Sequence, residues 1–86
     1  MFLHLGQDTV VSFDEIIGIF DMDNTTVSKN TRKFLNLAER RGEVVNVSYE
    51  LPKSFIVCNR MKENKVYISQ ISSSTLQKRS ELNDIF

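Results

Sequence analysis

Apolar and polar residues alternate over Phe2-Leu3-His4-Leu5, which predicts a short strand with Leu3 and Leu5 on one face and His4 on the other. Gly6-Gln7-Asp8 reads as a tight turn, because glycine tolerates positive φ and aspartate bonds its own backbone. Thr9-Val10-Val11 then starts a second strand and closes a hairpin. Ser12 and Glu15 have capping-box spacing and predict a single helical turn. Ile16 to Phe20 is apolar almost throughout, the pattern of a third, central strand. A polar loop follows from Asp21 to about Thr26.

Ser28 is the expected N-cap of a helix running to about Arg41. Thr31, Phe34, Leu35 and Ala38 fall at i, i+3, i+4 and i+7 and make one apolar stripe, with Leu37 beside it. Gly42 is the expected residue just past the helix end, and Arg40 and Arg41 suit the negative end of the dipole. Val44 to Tyr49 predicts a fourth strand with Val45, Val47 and Tyr49 on one face. Pro52 keeps Leu51 out of the helical region and cannot sit mid-sheet. Ser54 to Asn59 is the fifth strand, Arg60 to Asn64 a charged hairpin loop, and Lys65 to Ile71 the sixth strand. Ser72 to Thr75 offer N-caps for a short final helix through Lys78 and Arg79, anchored by Leu76. Residues from Ser80 on are expected to fray or to dock through Ile85 and Phe86.

The order β-β-β-α-β-β-β-α predicts an α+β domain: a small, mostly antiparallel sheet with one main helix packed on it. A parallel pairing between the strand before that helix and the strand after it stays open. With 86 residues the chain is expected to be one domain, 1–86. A chain of this length buries only about 60–65 % of its unfolded surface, so its core is thin and oligomerisation would help it. No apolar run approaches the ~18 residues of a membrane span, and the N-terminus lacks the pattern of a signal peptide. A cytoplasmic protein without membrane partner is expected. Cys58, the single cysteine, is expected to be packed inside Phe55-Ile56-Val57-Cys58. His4 is also alone, without neighbours for a metal site.

Net charge is zero, but the charges are segregated. Residues 1–28 hold five acids and no base, residues 29–79 eleven bases against four acids, and residues 80–86 two acids. Such segregation fits a basic binding face, complementary patches between subunits, or an ordinary solvated surface.

The sharpest chemical motif is the apolar strand ending in Asp21-Met22-Asp23-Asn24-Thr25. It resembles the opening motif of haloacid-dehalogenase-type phosphatases, where paired carboxylates work with magnesium. No adjacent acidic pair follows Asp23, and 86 residues cannot supply the large parallel sheet that family needs. A calcium loop fails as well, with Thr26 where glycine is required and Arg32 where the bidentate glutamate belongs. The glycines at 6, 18 and 42 are too isolated for a phosphate loop. No catalysis, metal site or cofactor is expected, and a phosphatase-like use of Asp21 and Asp23 remains a remote alternative.

Several stretches carry a family resemblance: Phe2-Leu3-His4-Leu5-Gly6 with Val10-Val11-Ser12, Ile16-Ile17-Gly18-Ile19-Phe20-Asp21, Pro52-Lys53-Ser54-Phe55-Ile56-Val57, Val66-Tyr67-Ile68-Ser69 and Ser72-Ser73-Ser74-Thr75-Leu76-Gln77-Lys78-Arg79. Over almost its whole length the chain resembles the bacterial extracellular-matrix (biofilm) regulators of the RemA/RemB family, nearer the RemB branch. The resemblance implies a small cytoplasmic bacterial regulator of matrix genes with a LytTR-like fold. The RemA branch binds DNA, activates transcription and assembles into rings. RemA-type chains carry an arginine pair after the fourth strand, where this one has Tyr49-Glu50-Leu51-Pro52-Lys53, and an arginine after the second strand, where this one has Glu15. Losing such charges weakens phosphate neutralisation, which drives most non-specific DNA affinity.

Lys53, Arg60, Lys62, Lys65, Lys78 and Arg79 remain as candidate DNA contacts. Two functions follow. One is an oligomeric DNA-binding or DNA-associated transcriptional regulator. The other is a protein–protein module of the same fold that has lost DNA binding, forming homo-oligomers, rings among them, or pairing with a RemA-type paralogue.

Overall fold

A computed structural model describes residues 1–22 and 28–85, with side chains up to residue 81. The strands are β1 (Phe2–Gly6), β2 (Thr9–Ser12), β3 (Ile16–Asp21), β4 (Val44–Asn46), β5 (Ser54–Arg60) and β6 (Glu63–Ser69). Helix α1 (Lys29–Arg40) lies between β3 and β4, and α2 (Ser73–Ile85) follows β6. A single 3-10 turn at Phe13–Glu15 joins β2 to β3, with the Ser12 hydroxyl accepting from the Asp14 N–H. This is the expected order and the expected α+β class.

Strands β1 and β2 form an antiparallel hairpin of their own. The other four make a sheet in the order β3-β5-β6-β4. The β3–β5 and β5–β6 pairs are antiparallel, while β4 runs parallel to β6. The open question about the strands flanking α1 is thus answered: they do not pair with each other but occupy the two edges. The expected central position of β3 is therefore wrong. Its apolar residues point both ways because each face of this edge strand meets a different apolar layer.

On one face, Ile19, Ile56, Cys58 and Tyr67 pack under Leu3, Leu5 and Val11 of the hairpin and Leu76 of α2. Leu3, Leu5 and Leu76 are fully buried, as period-2 patterning and the expected helix anchor require. On the other face, Phe55, Val57, Val66 and Ile68 meet Leu35 and Ala38 of α1. Ser28 caps α1 by accepting from the Thr31 N–H at 3.1 Å. At the other end the Gly42 N–H donates to the Glu39 carbonyl and the Glu43 N–H to the Ala38 carbonyl, with Gly42 at φ +71°.

Several expectations are corrected. β4 stops at Asn46, and Tyr49 stands fully in solvent rather than beside Val47. The charged loop shrinks to a two-residue turn at Met61 and Lys62, both at positive φ, so β5 reaches Arg60 and β6 starts at Glu63. The last helix continues to Ile85. Finally, the sheet covers Phe34 and Leu37 only in part, leaving them 43 % and 45 % exposed. The expected docking of Ile85 and Phe86 falls outside the described side chains.

Candidate functional site: scattered cations and an open groove

The β-ladder decides where the candidate cations stand. Lys53 immediately precedes β5; its N–H donates to the Ser69 carbonyl and its own carbonyl accepts from the Met22 N–H. Arg60 ends that strand, so the two lie about 23 Å apart along the chain at ~3.3 Å per residue. Arg60, Lys62 and Lys65 gather at the β5–β6 tip, with Glu63 among them. The Arg60 guanidinium sits 3.7 Å from the Glu15 carboxylate, although its side chain is 73 % exposed. Such an exposed pair contributes little to stability, but it places an acid beside a candidate phosphate contact. Lys78 and Arg79 belong to α2, where Arg79 Nη1 donates to the His4 carbonyl at 3.3 Å. All six cations are exposed. One chain brings three of them together and leaves Lys53 at the far end of the sheet.

The stretch Glu50-Leu51-Pro52-Lys53 is exposed as a whole, with Leu51 at 78 %. Asp21 closes β3, whereas Asp23 to Thr26 lie outside the described residues, so the carboxylate pair and any ion there are not described. Among the described residues no group of three or more metal-ligating side chains converges. Among the described residues no helix is long and apolar enough to cross a membrane.

A feature missed by sequence reasoning lies between α1 and the β3–β5 pair. Helix α1 packs toward β4, which leaves part of the sheet uncovered next to edge strand β3. The result is a groove of about 360 Å³ lined by Ile17, Phe20, Phe34, Phe55 and Val57, with Asn30 and Thr31 at the helix side. Phe20 stacks on Phe55 with centroids 5.0 Å apart, and Phe34 tilts over the same ring at 6.5 Å. A Cβ added at Gly18 would lie 2.7 Å from the Phe20 ring, so Gly18 is what lets that ring lie flat on the strand. The groove continues along Leu37 and Ala38 to Arg41, Glu43 and Asn64. Ile17 is 66 % exposed, Leu37 45 % and Phe34 43 %. The signal was present in the sequence: β3 is apolar on both faces, and Leu37 extends the helix stripe beyond what one sheet face can cover.

Residues 2–79 match the RemA-like family, described as extracellular matrix regulatory protein A-like. The chain is also 38 % identical over 81 residues to extracellular matrix regulatory protein B of Bacillus subtilis (strain 168), covering 94 % of this chain and 91 % of that protein. The match spans both sheets, α1 and the first half of α2, and so takes in every cation and groove residue described above; the chain belongs to the RemA-like family of extracellular matrix regulatory proteins.

Proposed function

We propose that this chain is a cytoplasmic bacterial regulator of extracellular-matrix (biofilm) genes that works as an oligomer and meets duplex DNA through cations drawn from several subunits. Family membership supports the regulatory part of this reading. The observation that carries the rest is the placement of the bases. Arg60, Lys62 and Lys65 cluster at one hairpin tip, while Lys53 stands about 23 Å from Arg60 at the other end of β5. Three cations on one tip make a weak grip on a duplex. The same tip repeated around an assembly makes a track, because phosphate contacts add along the backbone. A LytTR-like fold and closure into a ring belong to this proposal.

Fluorescence anisotropy of a labelled duplex, titrated with the assembled protein from low to moderate salt, tests it. The expected log K falls linearly with log salt, by about 0.9 for each phosphate neutralised. Lys62→Ala with Lys65→Ala should flatten that slope. No binding at low salt by the assembled protein would end the DNA reading.

A second reading is a protein–protein module that has lost DNA binding, acting as a homo-oligomer or on a RemA-type paralogue. It is favoured by Glu15 beside Arg60 and by Glu50-Leu51-Pro52, which leaves Lys53 as the sole base of its loop. It predicts assembly without DNA affinity. Neither reading gives the chain a cofactor or a catalytic role. Magnesium-dependent hydrolysis of a phosphomonoester, abolished by Asp21→Asn, would revive the phosphatase alternative.

A further inference from the structure

The groove between α1 and β3 has a chemical counterpart on the same chain. In the β1–β2 hairpin, Leu3, Leu5 and Val11 point into the core, so Phe2, His4 and Val10 point outward. Phe2 is 65 % exposed and Val10 54 %. His4 and Val10 are directly paired across the ladder, and Phe2 lies on the same outer side. Asp8 is exposed at one end of this face, in the hairpin turn, and Asp14 at the other, in the 3-10 turn. No lysine or arginine occurs in residues 1–22. The hairpin therefore presents an apolar patch with acids at both ends.

The groove presents the reverse. Beside Phe34 and Leu37 on α1 runs a column of Lys29, Lys33 and Arg40, at i, i+4 and i+11. Arg41 closes the far end together with Glu43. Glu39, the only acid in α1, stands four residues after Leu35 and on the other side of the helix. The floor is apolar, the helix side is lined by Asn30, Thr31 and Arg41, and the basic column of Lys29, Lys33 and Arg40 stands one row further out on the helix.

One alternative for covering these surfaces fails on this geometry. A chain's own hairpin cannot fill its groove, because the hairpin covers one face of the four-stranded sheet and the groove opens on the other.

We propose that the hairpin of a second copy of this chain docks in the groove, with Phe2 and Val10 on the Ile17–Phe20–Phe34–Leu37 floor and Asp8 and Asp14 against the Lys33–Arg40 rim. This rests on the oligomeric reading above and names the surfaces that make the oligomer. Donor and acceptor are different surfaces on opposite faces of one sheet. The contact is therefore heterologous, and it propagates until a rotation closes it into a ring or leaves an open filament. None of the candidate DNA contacts Lys53, Arg60, Lys62 and Lys65 lines the groove.

Mass measurement by light scattering on the wild type, Ile17→Asp and Val10→Asp tests the contact. Both positions are exposed, so far-UV circular dichroism should match the wild type, while the thermal midpoint should drop toward that of an unassembled chain. Each variant alone should fall to the monomer mass of 10.0 kDa. An equimolar mixture should give a species of twice that mass and no larger. Within it, the intact hairpin of the Ile17→Asp chain enters the intact groove of the Val10→Asp chain, and the two altered surfaces cap the ends. Independently, Lys33→Glu with Arg40→Glu should weaken assembly at low salt, and adding Asp8→Lys with Asp14→Lys should restore it.

The proposal is overturned if Val10→Asp assembles like the wild type, if the mixture stays monomeric, or if the charge exchange restores nothing. A wild type that is monomeric at all concentrations overturns both this contact and the oligomeric reading. A capped dimer from a protein that binds no DNA leaves the contact standing and removes only the DNA part.

Discussion

Ser69 is fully buried at the end of β6, where its hydroxyl donates to the Leu5 carbonyl at 2.6 Å and accepts from the Ile71 N–H at 3.0 Å. Ser54, its ladder partner, donates to the Ile71 carbonyl at 2.7 Å. These two hydroxyls tie the hairpin and the chain leading into α2 to the sheet. Ser69→Ala strands a buried carbonyl and a buried N–H, and should cost about 1–3 kcal/mol in urea unfolding. Ser72→Ala, at a partly exposed cap, should cost less. Cys58 is buried too, and burial, with the nearby Glu15 carboxylate adding to it, pushes its thiol up from 9.0 to about 11. The unfolded thiol ionises near 9 while the folded one still holds its proton, so stability should fall as pH rises from about 9 toward 11. At pH 8 the native thiol should resist a neutral alkylating reagent, whereas urea-unfolded protein should react at once. Rapid native labelling would contradict the burial.

The elements were legible where local signals agree. Ser28 and Gly42 bound α1 as their types demand. Gly42 sits at φ +71° with open space around its Cβ position, so Gly42→Ala should cost only the backbone strain, about 1 kcal/mol. Gly6, at φ +123°, also has the Gln70 amide 2.9 Å from an added Cβ, so Gly6→Ala should lower the thermal midpoint further. Other features were not legible because non-local contacts decide them. The three-residue β4 is placed beside β6 by the path of α1 across the sheet, and no local pattern encodes that parallel pairing. Ile16 to Phe20 reads as a central strand because a continuous apolar run looks alike whether a second sheet neighbour or an open groove meets its outer residues. Helix α2 outran its expected end because, among its described side chains, Leu76 is the buried apolar anchor, leaving little periodicity to show how far it extends.

At the scale of the whole molecule, the candidate DNA contacts were legible as residue types and not as a site. The ladder register separates Lys53 from Arg60, Lys62 and Lys65, which charge counting along the chain could not show. The segregated charge did carry spatial meaning. The acidic first segment holds the outer face of the hairpin, and part of the basic middle segment rims the groove on the opposite side of the sheet. In the proposed assembly these two surfaces meet, and the working unit is larger than one chain. The central claim is that DNA contact belongs to the assembly and not to the single chain. Anisotropy titrations of one duplex with the wild type and with monomeric Val10→Asp, at equal chain concentration and low salt, test it most directly. The account predicts tight, steeply salt-dependent binding by the wild type and at least about tenfold weaker binding with a shallower salt slope by the variant. Equal affinity and slope for the two proteins would contradict it.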